Sequence, residues 1–312
     1  MSLIRSLGSS GLQTPPLVLG GNVFGWTADR ETSFDILDRF VARGGTMIDT
    51  ADVYSSWVPG NEGGESESII GEWLKRRDRR DDVLIATKVG YDEGLAAGTI
   101  AAAIDRSLQR LGTDYVDLYF SHKDDPNAPL EETLGAFDRL VHTGKVRAIG
   151  ASQIEAPRLR EALDISAREG LASYSVLQTW YNLLERPKYE GELSALVQER
   201  GLGMVAFYGL ASGFLSGKYR SEADLGKSPR GGGLGKYLDA RGISVLAALD
   251  EVAAETGATP AQAALAWLSA QPAVTAPIAS ATSLEQLEEL LGAMELELTP
   301  DQVERLNAAS AQ

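Results

Sequence analysis

Residues 83–122 read VLIATKVGYDEGLAAGTIAAAIDRSLQRLGTDYVDLYFSH, and this stretch decides the fold. Its segments 83–86 and 116–120 are apolar runs of strand length. Between them Ile100, Ile104, Leu108 and Leu111 recur at the spacing that lines one face of an α-helix. Thr99 stands as the expected N-cap and Gly112 where a left-handed terminator belongs. A connection this long, with a helix in it, returns the chain to start a parallel neighbour.

The same alternation continues in both directions. Further apolar runs at 17–19, 46–49, 146–149, 175–177, 204–207 and 274–278 bring the expected strands to eight. Helices are expected at 31–43, 66–77, 157–168, 188–199 and 244–270, the last broken near Gly257 and Pro260. Leu134, Phe137, Leu140 and Val141 form another apolar stripe that stops at Gly144. Eight strands alternating with helices predict an α/β fold, a closed (β/α)8 TIM barrel forming one domain over residues 1–312, with a short N-terminal hairpin. An open doubly wound sheet would carry a glycine fingerprint after its first strand, and residues 19–24, LGGNVF, lack that spacing. The loop at 220–242 holds six glycines and is too long for a simple barrel connection.

Composition narrows the function. With 29 Lys and Arg against 44 Asp and Glu, the net charge of -15 disfavours nucleic acid and anionic membranes as partners. No run reaches the ~18–20 apolar residues of a membrane span, and the amino terminus lacks the apolar core of a signal peptide, so a cytoplasmic location is expected. The absence of cysteine excludes thiolate chemistry, and two histidines, His122 and His142, are too few for a multi-histidine metal site; no metal is expected. His142, at a helix end, reads as a surface residue favoured by the helix dipole.

Chemistry in a barrel of this kind sits at the carboxyl ends of the strands. Asp49, Lys88 and His122 fall at or just past the ends of three consecutive strands, with Tyr54 in the loop after Asp49. Neighbouring strands lie ~5 Å apart, so the four converge on one pocket. A phenol with an ordinary pKa of ~10 is a poor acid at neutral pH, and an adjacent ammonium is expected to lower it. Lys88 is the expected tuning charge, Asp49 its counterion, and His122 a hydrogen-bonding group for a carbonyl oxygen facing Tyr54. Taken singly, Asp49 and Lys88 also read as a structural ion pair, and Tyr54 as a loop tyrosine packed on Trp57. Trp26, Trp57 and Tyr91, in the loops after the first three strands, are candidate walls of an apolar substrate pocket, though such residues also pack on one another.

Four segments carry a family resemblance: residues 48–54, IDTADVY; 84–88, LIATK; 110–119, RLGTDYVDLY; and 144–150, GKVRAIG. The chain resembles the aldo-keto reductases over about residues 7–306. The resemblance implies a TIM barrel that binds NAD(P)H extended, reduces aldehydes or ketones or runs the reverse reaction, and uses Asp49, Tyr54, Lys88 and His122 as its tetrad. It implies that Ser152, Gln153 and Gln178 bind the carboxamide, that Phe207 stacks under the nicotinamide, and that residues 210–218, with Leu210, Ser212 and Lys218, surround the pyrophosphate. Tyr208, Gly209, Ser280, Thr282, Gln286 and Glu289 complete the implied cofactor contacts, and the glycine-rich loop with Arg230 is expected to close over them.

The departures matter too. Ser283 stands where the family commonly has the Arg that pairs with the 2'-phosphate of NADP, and Leu290 where it has Asn. NADP(H) is the expected cofactor because Ser280, Thr282 and the helix start beyond them accept phosphate, with NAD(H) the competitor. Tyr208-Gly209 replaces Ser-Pro. Lys123 replaces an aromatic, and either favours a polar or anionic substrate or points into solvent. The resemblance also covers potassium-channel β subunits, which makes a cofactor-binding redox-sensing subunit the alternative reading.

Overall fold

Along each strand of this chain the even-spaced residues face inward, and that period of two builds both the core and the site above it. The computed structural model describes residues 4–77, 79–228 and 231–311. Eight strands close into a parallel barrel: β3 (Val18–Gly20), β4 (Met47–Asp49), β5 (Leu84–Val89), β6 (Val116–Ser121), β7 (Val146–Ser152), β8 (Tyr174–Trp180), β9 (Gly203–Phe207) and β10 (Val274–Ala279), which returns to pair with β3. Helices α1 (Arg30–Ala42), α2 (Glu65–Arg77), α3 (Ala97–Leu111), α4 (Leu130–His142), α5 (Ala156–Glu169), α6 (Glu192–Glu199), α7 (Ala240–Thr256), α8 (Pro260–Ala270), α9 (Leu284–Gly292) and α10 (Pro300–Ser310) surround it. The expected (β/α)8 TIM barrel is the observed fold.

Inside the barrel, Val18, Met47, Ala86, Leu118, Phe120, Ala148, Val176, Val205, Ala276 and Ile278 form one apolar cluster. The expected hairpin, β1 (Arg5–Ser6) with β2 (Gln13–Thr14), plugs the amino-terminal end by adding Leu7 and Leu12 to that cluster. The fit is close: a Cβ on Gly8 would lie 2.1 Å from the Ser175 carbonyl oxygen at the start of β8. A second, larger core separates the strands from the helices and includes Trp73, Phe137, Tyr174 and Trp267.

Helix ends follow local chemistry with one correction. α3 starts at Ala97, so Thr99 lies in its first turn, and Ala96 precedes it without a side-chain cap. Gly112 ends it in the left-handed conformation (φ 62°), as the sequence implies. The expected break in 244–270 is real: Gly257 closes α7 at φ 70°, and Thr259 and Gln262 form a capping box that opens α8 with Pro260 in its first turn. The 188–199 segment contributes the shorter α6 after a 3-10 turn at Arg186–Lys188, and α10 is a helix the apolar runs did not announce.

α2 and α3 approach through Gly71, where an added Cβ would lie 2.1 Å from the Arg110 carbonyl oxygen. Alanine favours helices over glycine by ~1 kcal/mol, yet overpacking costs about 1–3 kcal/mol. Gly71→Ala is therefore expected to lower the melting temperature in a calorimetric scan. A raised melting temperature would show that the two helices can part without cost.

Candidate active site

The inward series of each strand ends at the barrel mouth in a residue with chemistry. Two positions beyond Met47, Ala86, Phe120 and Val176 stand Asp49, Lys88, His122 and Gln178, and two beyond Gly150 and Val205 stand Ser152 and Phe207. Register steps the first three by two residues from strand to strand, with Asp49 beside Ala86 and Lys88 beside Phe120, whereas Ser152 lies directly beside Gln178. A Cβ on Gly150 would strike the Phe120 ring at 2.4 Å, so glycine there lets β7 pass that ring.

The four expected residues meet. Lys88 is wholly buried, and its Nζ donates to Asp49 Oδ2 at 2.7 Å, the Thr50 carbonyl at 2.7 Å and Tyr54 Oη at 2.9 Å. All three ammonium hydrogens thus have acceptors. Tyr54 Oη donates to Asp49 Oδ2 at a longer 3.2 Å, leaving its hydrogen easily redirected towards the mouth. Burial pulls Lys88 below its ordinary pKa, while Asp49 pulls it back up. The expectation of a net lowered phenol pKa is corrected: burial, which disfavours phenolate, and then the Asp49 charge hold Tyr54 well above 10. Tyr54 therefore rests as a protonated acid.

His122 follows β6, its backbone N–H bonded to the Val89 carbonyl at 2.8 Å. Its ring stands edge-on to Tyr54, with centroids 5.9 Å apart, and tilts against Tyr91 at 4.8 Å. Burial, then the charges of Lys88 and Lys123, hold its pKa well below 6.5, so the imidazole is neutral. Its Nδ1 is buried and has no hydrogen-bond partner.

The loop bearing Tyr54 is pinned from several sides. Ser55 adopts φ 73° and donates to the Phe24 carbonyl, while Asn61 Nδ2 reaches the carbonyls of Gly25 and Ser55. Below it, buried Glu67 accepts from Thr87 Oγ1 at 2.5 Å and Arg110 Nε at 2.6 Å. Asp52, near this group, has a buried Oδ1 without a partner. Burial first, and the Glu67 charge second, push its carboxyl up to about 7.

The remaining expected contacts divide by what they already do. Ser152 Oγ is buried and unpaired at the end of β7. Gln178 is turned inward instead, its Nε2 donating to Asp49 Oδ1 at 2.8 Å, and Gln153, at φ 48°, donates to the His122 carbonyl at 3.0 Å. Phe207 joins Trp180 and exposed Tyr208 in an aromatic cluster, with Trp180 and Tyr208 centroids 4.4 Å apart. Trp180 was not anticipated, although it stands two residues past Gln178 on the same strand face. Tyr208, Ala211 and Ser212 all have φ near 50°, and Gly213 φ 97°, so the segment from Tyr208 to Gly213 curls its backbone tightly. Gly209 is buried against Leu265 and Leu268, and Leu210 caps the start of the 3-10 segment Ala211–Ser216. Lys218 folds back to place Nζ 3.6 Å from where a Gly213 Cβ would stand.

At the far side, Ser280 Oγ donates to Asn22 Oδ1 at 2.7 Å. Thr282 donates through both N–H and Oγ1 to Gln286 Oε1, and Ser283 caps α9 by accepting from Gln286 N–H. The Glu289 carbonyl takes a bond from Gln262. Arg230 lies outside the described residues. The long loop forms 3-10 turns at Glu222–Lys227, Gly231–Gly233 and Gly235–Tyr237, tied down by Lys236 and Tyr237 on Glu185. Trp26 and Trp57 meet edge-on at 5.7 Å, and Trp57 and Tyr54 at 6.2 Å, so these aromatics stand beside the tetrad together with Tyr91.

Buried unpaired polar atoms, a tightly curled 208–213 backbone and a proton donor at the mouth fit a nicotinamide cofactor with a carbonyl compound. Residues 16–311 match the Aldo/keto reductase family model. The chain is 34% identical over 315 residues to the uncharacterized oxidoreductase YrpG of Bacillus subtilis, covering 96% of this chain and 94% of that protein. It is 34% identical over 307 residues to an L-glyceraldehyde 3-phosphate reductase of Escherichia coli (93% and 87% covered), and 32% over 321 to a probable voltage-gated potassium channel subunit beta of Oryza sativa (97% and 95% covered). The chain belongs to the aldo/keto reductase family, and with it to the oxidoreductases. Among the described residues no cluster suited to a metal ion occurs, and no helix is long and apolar enough to cross a membrane.

The Asp52 carboxyl supplies a pH prediction. Its folded pKa of about 7 lies above the unfolded 3.8, so the folded state binds more protons between those values and stability falls as pH rises through that window. Asp52→Asn is expected to raise the melting temperature more at pH 8 than at pH 5. An equal change at both pH values would contradict the raised pKa.

Proposed function

We propose that this protein is an NAD(P)H-dependent reductase of aldehydes or ketones, reversible on the corresponding alcohols, with Tyr54 as the general acid and base. The observation that carries the reading is the three-way hydrogen bonding of buried Lys88 to Asp49, Thr50 and Tyr54. A dihydronicotinamide, when bound, would supply the hydride that the carbonyl carbon receives. Tyr54 turns its hydroxyl hydrogen from Asp49 to the carbonyl oxygen and delivers the proton, leaving an alcohol. Lys88 donates to Tyr54 Oη, so its charge stabilises the phenolate that forms, although burial raises the resting pKa. Neutral His122 holds the carbonyl oxygen by a hydrogen bond, and Asp49, held by Gln178, keeps Lys88 charged and aimed. Ser152 would take the carboxamide, Phe207 the nicotinamide face, and the segment from Tyr208 to Lys218 the pyrophosphate. Trp26, Trp57 and Tyr91 would wall the substrate.

Tyr54→Phe is expected to reduce turnover of 4-nitrobenzaldehyde by about 10²–10⁴-fold. Cofactor affinity, read by quenching of tryptophan fluorescence, should stay within about threefold in this comparison because Tyr54 meets the carbonyl, not the dinucleotide. Undiminished turnover would overturn the assignment.

For the 2'-phosphate end we propose that the NADPH preference implied by the family narrows. Arg39 and Arg43 are both paired to Glu288, Lys227 to Asp224 and Arg220 to Asp250, while the Thr282 and Gln286 N–H groups already have acceptors. NADPH and NADH titrations should give dissociation constants within about tenfold, the worth of one weak charged contact. A preference above about a hundredfold for NADPH would contradict this.

The similarity to a protein named as a channel β subunit supports a second reading, a cofactor-retaining redox-sensing subunit. Tight retention of cofactor with slow turnover of every carbonyl compound would favour it.

A further inference from the structure

Lys123 follows His122 directly, yet the proton relay makes no use of it. Its Nζ sits over the Tyr91 ring, 4.5 Å from the centroid, and that ring tilts against His122 at 4.8 Å. The ammonium is thus one aromatic ring away from the imidazole that faces the reacting oxygen. Among the described residues it forms no ion pair, its recorded contact being Tyr91. The acidic residues of the two adjoining loops are engaged elsewhere: Asp124 with Arg158, Asp125 with the N–H groups of Leu95 and Asn127, and Glu93 with Arg106. Asp92 is exposed and makes no ion pair with Lys123.

An uncompensated ammonium at the mouth is unusual in a chain of net charge -15. Tyr91 restrains the long side chain by a cation–π contact, so less freedom is lost when an anion arrives. The half-buried position also keeps it less screened than a fully solvated lysine. We propose that Lys123 is a specificity-determining residue that selects carbonyl compounds bearing an anionic group, a carboxylate or a phosphate, remote from the reacting carbon. Tyr91 positions it. The inference rests on the carbonyl-reductase reading of the same site and adds the substrate class.

The test compares kcat/KM for 4-carboxybenzaldehyde with that for its uncharged ester, methyl 4-formylbenzoate, in the wild type and in Lys123→Gln and Lys123→Arg. A parallel arm compares glyceraldehyde 3-phosphate with glyceraldehyde and separates phosphate from carboxylate recognition. The wild type is expected to favour the anionic member of at least one pair. Lys123→Gln should lower that anionic-to-neutral ratio by about 10–100-fold, mainly through KM, as for loss of a charged hydrogen bond. Lys123→Arg should retain most of the ratio, and added salt should erode it in the wild type. Absence of an anionic preference in both pairs, or a ratio unmoved by Lys123→Gln, would overturn the proposal while leaving the reductase reading intact. A wild type that reduces none of the four aldehydes would overturn the reductase reading and this inference with it.

Discussion

A fully buried ammonium is the constraint on which the rest of this structure depends. Lys88 cannot lie inside a barrel unless every N–H finds an acceptor and its charge finds a counterion. Asp49 supplies the charge, Thr50 a carbonyl and Tyr54 a hydroxyl, and Gln178 from the opposite side of the barrel fixes Asp49 in turn. These residues come from β4, its following loop, β5 and β8, so the complete set of bonds forms only when the barrel closes in register. On the proposed function, stability and chemistry share the same bonds.

Around that pair the protein divides its polar groups into two kinds. Glu67, Arg110 and Thr87 satisfy one another beneath the Tyr54 loop and hold it in place. His122 Nδ1, Ser152 Oγ and Trp180 Nε1 are buried and left unpaired nearer the mouth. Unpaired buried groups cost stability, and these three lie at or just past the carboxyl ends of β6, β7 and β8. Most left-handed non-glycine residues gather on the same side: Ser55, Gln153, Tyr208, Ala211 and Ser212 lie in loops at the carboxyl ends of strands, while Ala273 precedes β10.

The barrel was legible because apolar runs alternate with helical stripes, and Asp49, Lys88, Tyr54 and His122 stood out because three fall at or just past a run's end and Tyr54 in the loop after Asp49. The apolar runs nevertheless stopped early. They gave 83–86, 146–149 and 175–177, whereas the strands continue to Val89, Ser152 and Trp180. The missing residues include the polar, inward-facing Lys88, Ser152 and Gln178, so the inward hydrophobicity ends while the backbone ladder continues. For Gln178 and Gln153, sequence could not show that their amides are occupied with Asp49 and the His122 backbone. Neither the raised phenol pKa nor that of Asp52 was visible, since both arise from burial and from neighbours brought in by other strands and helices.

If Lys88, Asp49 and Tyr54 act as one proton-donating unit, their contributions to rate cannot multiply. The direct measurement is the single-turnover rate of aldehyde reduction in Tyr54→Phe, Lys88→Met and the double variant, each saturated with cofactor. The account predicts that the double variant reacts no more than about threefold slower than Tyr54→Phe alone, because Lys88 works through the phenol. A double variant whose loss equals the product of the two single losses would contradict it.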